Sequence, residues 1–194
     1  MIWNQHSDLV GKHAFLSPSN SAWRNYDDEK LIGRFESSNA RYRGTEIHEH
    51  AAMDILFGEK YGVKRPQSKT TYNMYVNDAI GYRMRPEQVL YYSPFAFGTA
   101  DAISFRRQLL RIHDLKTGVT PAKMDQLVCY SALFCLEYRY DPNELRFKLR
   151  IYQSNEIFEY EPTGDEVQAS MDDYVHRSMV LEEYQSTHLF DFEV

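Results

Sequence analysis

The stretch FGTADAISFRRQLLRIHDLKTG, residues 97–118, decides how this chain is expected to fold. Two apolar runs rich in strand-forming residues lie on either side of Arg107 and Gln108, and this arrangement predicts two antiparallel strands joined by a two-residue turn. In that register Asp101 and Asp114 are direct cross-strand partners, with their Cβ atoms roughly 5 Å apart. Two carboxylates at such a separation can bind one divalent cation.

The turn itself leaves the register open. Arg-Gln lacks the residues that a primed hairpin turn favours, and a slip of one residue would send Asp101 to the opposite face of the sheet. Two registers are therefore compatible with this stretch, and only one of them brings the two aspartates together.

The second strand ends in Asp-Leu-Lys. The two-residue period of strand side chains places Asp114 and Lys116 on one face, together with Ile112, and turns Leu115 to the other face. With a bound Mg²⁺, Lys116 would stabilise charge on a phosphate or orient an attacking water. A salt-bridged surface hairpin produces the same Asp-x-Lys pattern, so the pair alone does not identify a site.

A short helix is predicted over residues 44–58, with Thr45 as its cap and Gly58 past its end. His48 lies at the edge of the expected buried stripe, where a histidine is either a packed core residue or a metal ligand. That stripe consists of Ile47, Ala51 and Ile55. Three residues on other faces are substitute ligands, with Glu49 preferred among them: Glu46, Glu49 and His50.

The remaining elements follow from hydrophobic period and from start and stop signals. Helices are predicted from Ser17 as N-cap and Pro18 to about residue 36 with a break near Asp27, over 77–85, from Pro121 with Thr120 as cap to about residue 138, and over about 164–184. Strands are predicted over residues 70–76, 87–93, 144–153 and 156–160. In the helix after the hairpin, Gln126 and Tyr130 are four residues apart and therefore lie on one side.

Length and composition indicate one domain. A chain of 194 residues that is 43% hydrophobic can bury a sizeable core, so residues 1–194 are expected to form a single unit. The sequence contains neither a stretch of membrane-spanning length nor a signal-peptide pattern. The expected location is therefore the cytoplasm, of a bacterium or of an infected host cell. Cys129 and Cys135 read as core thiols in a reducing compartment.

The charge distribution does not exclude a nucleic-acid partner, although the net charge is −6. Acidic residues are concentrated in residues 137–193, and phosphate contacts depend on local charge, not on the total. Ordinary solvated side chains would give the same composition. The basic residues of the middle section are Lys64, Arg65, Lys69, Arg83, Arg85, Arg106, Arg107, Arg111 and Lys123.

Taken in order, these residues resemble a known family. A strand aspartate, a short gap and then Asp-x-Lys with an apolar middle residue is the signature of the PD-(D/E)XK nuclease superfamily; here it reads GTAD and then IHDLKTG. A lysine followed by Thr-Gly is similar to the RecB-like exonuclease branch. QLVCY, residues 126–130, resembles the QxxxY element of that branch and of the CRISPR-adaptation nucleases. The resemblance is to small single-domain phage types and spans about residues 15–155.

The resemblance implies an α/β fold with a restriction-endonuclease-like core, in which helices flank a mixed central β-sheet. It implies a metal-dependent DNA exonuclease that uses Mg²⁺ or Mn²⁺ and acts in phage or bacterial DNA recombination, repair or processing. Members with an iron–sulfur cluster carry four cysteines, so two cysteines imply no such cluster here. The implied roles are metal binding by His48, Asp101, Asp114 and the Leu115 carbonyl, catalysis by Lys116, and placement of the DNA backbone by Gln126 and Tyr130.

The expected partner is DNA with linear ends, together with a homo-oligomer or a recombination protein, because the chain contains no helicase motor. Two other functions fit the same residues. The first is a non-catalytic interaction module with a nuclease fold, which the acidic last third would suit. Intact Asp101, Asp114 and Lys116 argue against it, because loss of catalysis usually relaxes like-charged positions. The second is a site-specific endonuclease.

Overall fold

Five strands form one mixed sheet in the order β1-β2-β3-β4-β5. The computed structural model describes residues 1, 3–38, 46–62, 70–117 and 121–187. The strands are β1 Arg85–Ser93, β2 Ala96–Arg106, β3 Leu109–Leu115, β4 Arg146–Gln153 and β5 Glu156–Tyr160. The α-helices are α1 Asp28–Ser38, α2 Glu46–Phe57, α3 Thr71–Gly81, α4 Asp125–Tyr138 and α5 Gly164–Thr187. Strands β3 and β4 are parallel, and the other neighbours are antiparallel.

Helices cover both faces of the sheet. On one face Ile112 and Leu149 lie in the main core with residues of α4 and α5, such as Leu133 and Tyr174. On the other face α2 and α3 pack over a smaller core that contains Leu115. The chain therefore has an α/β fold with a mixed sheet flanked by helices, as expected. Among the described residues, no helix combines the length and the apolar character needed to cross a membrane.

The hairpin between β2 and β3 has the predicted two-residue turn. Arg107 and Gln108 have φ values of 50° and 54°, the left-handed conformation of both central residues that a type I′ turn requires. Ile103 pairs with Ile112, and Ala102 pairs with His113. The register that places Asp101 opposite Asp114 is therefore confirmed, and the unfavourable turn residues did not shift it.

The strand predicted over residues 70–76 is wrong, because these residues begin α3. Its N-cap Thr70 accepts a hydrogen bond from the Asn73 amide, and the buried residues Tyr75, Val76 and Ala79 recur at helical spacing. The many β-branched and aromatic residues suggested a strand, but the spacing of the buried ones decides the element. One helix replaces the predicted strand and most of the predicted 77–85 helix.

Three other expectations need correction. Residues 18–25 form a 3₁₀-helix whose N-cap Ser17 makes no side-chain capping bond, and the first α-helix starts at Asp28. Helix α4 starts at Asp125, four residues after Pro121, and Thr120 lies outside the described residues. The Ile47 side chain is exposed, because the buried stripe of α2 continues through His48 instead.

The close approach of the N-terminal segment to β2 requires a glycine. A Cβ atom at Gly98 would lie 2.9 Å from Pro18 Cδ and 3.3 Å from Tyr130 Cε1. Any larger residue would push β2 away from α4. Gly98 therefore helps to set the position of the strand that carries Asp101.

The turn conformation yields a first prediction. Gln108→Gly should raise the unfolding free energy by about 0.5–1 kcal/mol, because glycine adopts positive φ without the steric cost that glutamine bears. Thermal unfolding should show an increase in Tm of about 1–4 °C. The control is Glu156→Gly in β5, where the backbone is extended and glycine should be destabilising. An unchanged or lower Tm for Gln108→Gly would contradict the turn assignment.

Candidate metal and phosphodiester site

Four elements bring polar side chains together where β2 and β3 lie side by side. Strand β2 carries Asp101, and β3 carries Asp114 next to its last residue and leads into Lys116. Helix α2 brings His48 from the side of the smaller core, and α4 brings Gln126 from the side of the main core. Both helix layers are thus needed to complete the cluster.

Asp101 links α2 to the end of β3. Its Oδ2 atom lies 3.2 Å from His48 Nδ1 and accepts a hydrogen bond of 2.9 Å from the Leu115 amide. The contact with Asp101 raises the pKa of His48, although burial opposes the shift. Of the two readings of His48, the structure thus favours a histidine directed at the aspartate pair. A bound metal would have to displace a proton that Asp101 helps to retain.

Asp114, Lys116 and Gln126 form a closed ring of hydrogen bonds. Lys116 Nζ donates to Asp114 Oδ1 over 3.2 Å and to Gln126 Oε1 over 2.8 Å, while Gln126 Nε2 donates to Asp114 Oδ1 over 3.1 Å. The Lys116 amide also donates to the Tyr152 carbonyl of β4 over 2.9 Å. The ammonium group is therefore held at a defined position, even though the lysine is only half-buried.

The Asp114 carboxyl group is almost fully buried, with 1% of the residue exposed. Its Oδ2 atom accepts no hydrogen bond among the described residues, although Lys116 Nζ lies 3.1 Å away in an ion pair. Burial and the neighbouring Asp101 charge raise the pKa of Asp114, against the lowering effect of Lys116. A buried carboxylate oxygen with a spare acceptor site fits a cation better than it fits an apolar core.

A third carboxylate belongs to this cluster. One ligand atom from each of His48, Glu87 and Asp101 lies within 4.8 Å of the other two. Pairs on either side of Glu87 join Pro86 to Ala102 and Gln88 to Ala100, which places Glu87 opposite Asp101 in β1. Three adjacent strands thus contribute Glu87, Asp101 and Asp114 side by side.

Glu87 has an unusual backbone and an unusual pKa. Its φ of 47° is the only positive value at a non-glycine residue within a strand of the described chain, and such strain often accompanies functional sites. Burial, followed by the Asp101 charge, raises the pKa of Glu87 to about 8. Without a bound cation, the carboxyl groups of the cluster therefore tend to stay protonated.

The donor set suits a hard or borderline divalent cation. Carboxylate oxygens are the ligands of Mg²⁺ and Mn²⁺, and one imidazole nitrogen is compatible with Mn²⁺. A cation would offset the like-charge repulsion from Asp101, which adds to burial in raising the pKa of Glu87 and Asp114. His48, Glu87 and Asp101 are the best-placed ligands, with Asp114 beside them.

The structure places the other predicted site residues as follows. Gln126 reaches Asp114 and Lys116, so it orients the site directly. Tyr130 is 2% exposed and donates a hydrogen bond to the Thr99 carbonyl. Direct contact with DNA is therefore not available to its phenol, which instead fixes β2 two residues before Asp101. Leu115 contributes its amide to Asp101, and metal binding by its carbonyl stays a prediction.

Glu49, the preferred substitute ligand, is exposed and lies outside the three-residue group that contains Glu87. Sequence reasoning therefore missed Glu87 and favoured Glu49, the residue directly after His48 on α2, as the substitute ligand. A signal did exist. Residues 87 and 101 lie the same number of positions before and after Pro94, at the turn between β1 and β2, so a hairpin centred there pairs them. The same counting from the turn at residues 107 and 108 pairs residue 101 with residue 114.

No protein-family model matches this chain, and no curated protein matches it either. The resemblance to PD-(D/E)XK nucleases consequently rests on the order and spacing of the residues described above. The fold brings His48, Asp101, Asp114, Lys116 and Gln126 together from four separate segments.

The raised pKa of Glu87 predicts how stability depends on pH. The folded carboxyl group binds its proton more tightly than the unfolded one, so its contribution to stability falls as pH rises from about 4.5 to about 8. In chelator at about pH 8, Glu87→Gln should be more stable than the natural protein by roughly 1–2 kcal/mol, or about 2–8 °C in Tm. At pH 4 the difference should nearly vanish.

Thermal melts of both proteins across this pH range measure the effect. Glu49→Gln is the matched control, because Glu49 is exposed on the neighbouring helix and should leave the pH profile unchanged. Parallel profiles for Glu87→Gln and the natural protein would show that Glu87 is not held in a proton-binding environment.

His48→Ala should weaken metal binding more than folding. Mn²⁺ should raise the Tm of the natural protein by an amount that grows with the logarithm of its affinity, and most of this increase should be lost in His48→Ala. His50→Ala, on the exposed side of the same helix, should retain it. An equal loss of stability with Mn²⁺ and with chelator would instead identify His48 as a packing residue.

Proposed function

We propose that this chain is a metal-dependent deoxyribonuclease that hydrolyses phosphodiester bonds in DNA, and that it acts on linear ends as an exonuclease. The observation that carries the proposal is the position of Lys116 Nζ, 3.1 Å from a buried Asp114 whose strand neighbour is Asp101. An ammonium group beside two carboxylates that can bind a divalent cation is suited to the hydrolysis of a phosphate diester.

The ligands would be His48 through an imidazole nitrogen and Glu87, Asp101 and Asp114 through carboxylate oxygens. When bound, Mg²⁺ or Mn²⁺ would lower the pKa of a water and offset negative charge on the phosphate. Asp101 also accepts a hydrogen bond from the Leu115 amide, so the carboxylate that faces His48 has a fixed orientation. Ligands held in this way need little rearrangement to bind a cation.

Lys116 contributes a positive charge that is already oriented. The ammonium group can donate three hydrogen bonds, and Gln126 Oε1 and Asp114 Oδ1 accept two of them. The third donor is left for a phosphate oxygen or for the attacking water. Preoriented donors of this kind stabilise charge that develops in a transition state without reorganisation at the moment of reaction.

The requirement for an end comes from the resemblance alone, as do Mg²⁺ or Mn²⁺ as natural ions and a role in phage or bacterial recombination. The site residues would serve an endonuclease equally well. A homo-oligomer or a recombination protein remains the proposed source of processivity. Closed circular DNA discriminates the two activities, because an exonuclease leaves it intact.

Lys116→Ala should reduce hydrolysis by about 10²–10³-fold, because one preoriented charge donor is lost. The assay follows end-labelled linear single- and double-stranded DNA with Mg²⁺, Mn²⁺ or chelator, and closed circular DNA in parallel. Asp114→Asn, which keeps the shape of the buried side chain, should be similarly inactive. Lys123→Ala is the matched control, since Lys123 is exposed three residues before Gln126.

Full activity of Lys116→Ala would refute the assignment of the site. A folded natural protein that hydrolyses none of these substrates with either ion would refute the nuclease proposal. That result would favour an interaction module with the same fold.

A further inference from the structure

A cluster of cations lies on the sheet face that α2 and α3 cover only in part. It consists of Arg106 on β2, Arg111 on β3, and Arg146 and Lys148 on β4, and we call it the basic sheet patch. Leu109 pairs with both Arg106 and Arg146, and Arg111 pairs with Lys148. The two-residue period places all four on the face of Ala102 and Leu115, opposite the main core.

These charges are poorly compensated. Among the described residues, Arg106, Arg111 and Arg146 form no ion pair, and Lys148 pairs only with the exposed Glu161 over 3.0 Å. Arg111 and Lys148 are direct cross-strand neighbours, and like charges at such positions are destabilising. The chain retains this repulsion despite a net charge of −6. An anionic partner would relieve it.

The patch is also partly preorganised. The Arg111 guanidinium lies 4.8 Å from the centre of the Tyr82 ring, and stacking on an aromatic face limits the freedom that an arginine loses on binding. Arg106, Arg146 and Lys148 are exposed. Three guanidinium groups on a flat sheet face can contact phosphate oxygens in a bidentate manner.

The chemistry of the patch favours a nucleic acid over an acidic protein. Protein–protein interfaces have cores enriched in aromatic and apolar side chains and depleted in charge. Interfaces with DNA are strongly positive and polar. The apolar groups beside the patch are the half-buried Leu109 and the Tyr82 ring that stacks on Arg111, and the patch itself consists of cations.

The patch and Asp114 lie on opposite faces of the same sheet. Arg111 precedes Asp114 by three residues, about 10 Å along β3, and Arg106 and Arg146 are level with Leu109, about 16 Å from Asp114. Helix α2, which carries His48, packs on the sheet face of the patch. Arg111 and Asp114 are three residues apart and project from opposite faces of β3, so DNA that contacts both the metal ligands and the patch has to pass from the Asp114 face to the face that carries α2.

We infer that the basic sheet patch binds the phosphate backbone of the DNA substrate beyond the nucleotide that is hydrolysed. This inference rests on the proposed nuclease function and adds a second contact region to it. The patch supplies affinity for long DNA, while the metal and phosphodiester site performs the hydrolysis.

Two double variants that each lose two positive charges test this role. Arg106→Gln with Arg146→Gln removes the two most exposed guanidinium groups of the patch. Lys12→Gln with Lys30→Gln is the control, because both lysines are exposed outside the patch and Lys30 stacks on Tyr26 at 4.7 Å, much as Arg111 does on Tyr82. Equal Tm values for the two variants would verify that the fold is intact.

Binding of a labelled duplex is measured by fluorescence anisotropy in chelator, which stops hydrolysis, over a series of salt concentrations. The patch variant should bind about tenfold more weakly, and the slope of log K against log salt should fall in magnitude by about 1.8, or 0.9 for each lost phosphate contact. The control variant should keep the natural slope. Equal slopes for all three proteins would overturn the inference.

Hydrolysis of short and long substrates separates this inference from the proposed function. With Mn²⁺, the patch variant should retain natural kcat/KM on a dinucleotide and lose about tenfold on a long duplex. Loss of duplex binding in a chain that hydrolyses nothing would support the patch and refute the nuclease. Hydrolysis of the long duplex with equal kcat/KM in both variants would support the nuclease and refute the role of the patch.

Discussion

The pairing of β2 with β3 holds Asp101 opposite Asp114, and a turn of only two residues sets the register of this pairing. Every other group of the site is positioned relative to this pair. A register shift of one residue would turn Asp101 toward the other face and separate it from Asp114. The turn achieves the required geometry with Arg107 and Gln108, two residues that do not favour left-handed backbone. The packing of both strand faces therefore outweighs the local cost of the turn.

Two layers converge on the carboxylates from opposite sides of the sheet. Helix α4 supplies Gln126, which fixes Lys116 against Asp114. Helix α2 supplies His48, which faces Asp101. Tyr130 and Gly98 let α4 approach β2 closely. Relative movement of either helix would thus alter the site, so the core on both faces acts as a positioning device for the polar cluster.

The energetic character of the cluster is electrostatic strain. Glu87, Asp101 and Asp114 lie on neighbouring strands, and burial strengthens their mutual repulsion. Lys116 and His48 offset part of it, while burial, followed by the Asp101 charge, keeps the pKa of both Glu87 and Asp114 raised. A cluster of this kind binds protons when no cation is present and binds a divalent cation in competition with them. The basic sheet patch carries the complementary imbalance, because among the described residues only Lys148 of its four cations forms an ion pair with a carboxylate.

Local patterns in the sequence were sufficient for the hairpin, for the Asp-Leu-Lys strand end and for the helical spacing of Gln126 and Tyr130, because strand and helix periods depend on near neighbours. Other features depended on contacts between distant segments. These include α3 in place of a predicted strand, the burial of Tyr130, and the entry of Glu87 into the cluster in place of Glu49. Burial and cross-strand pairing are set by packing over the whole sheet. Sequence alone therefore determined the types of residue that form the site, and the tertiary structure decided which carboxylates lie together and which side chains solvent can reach.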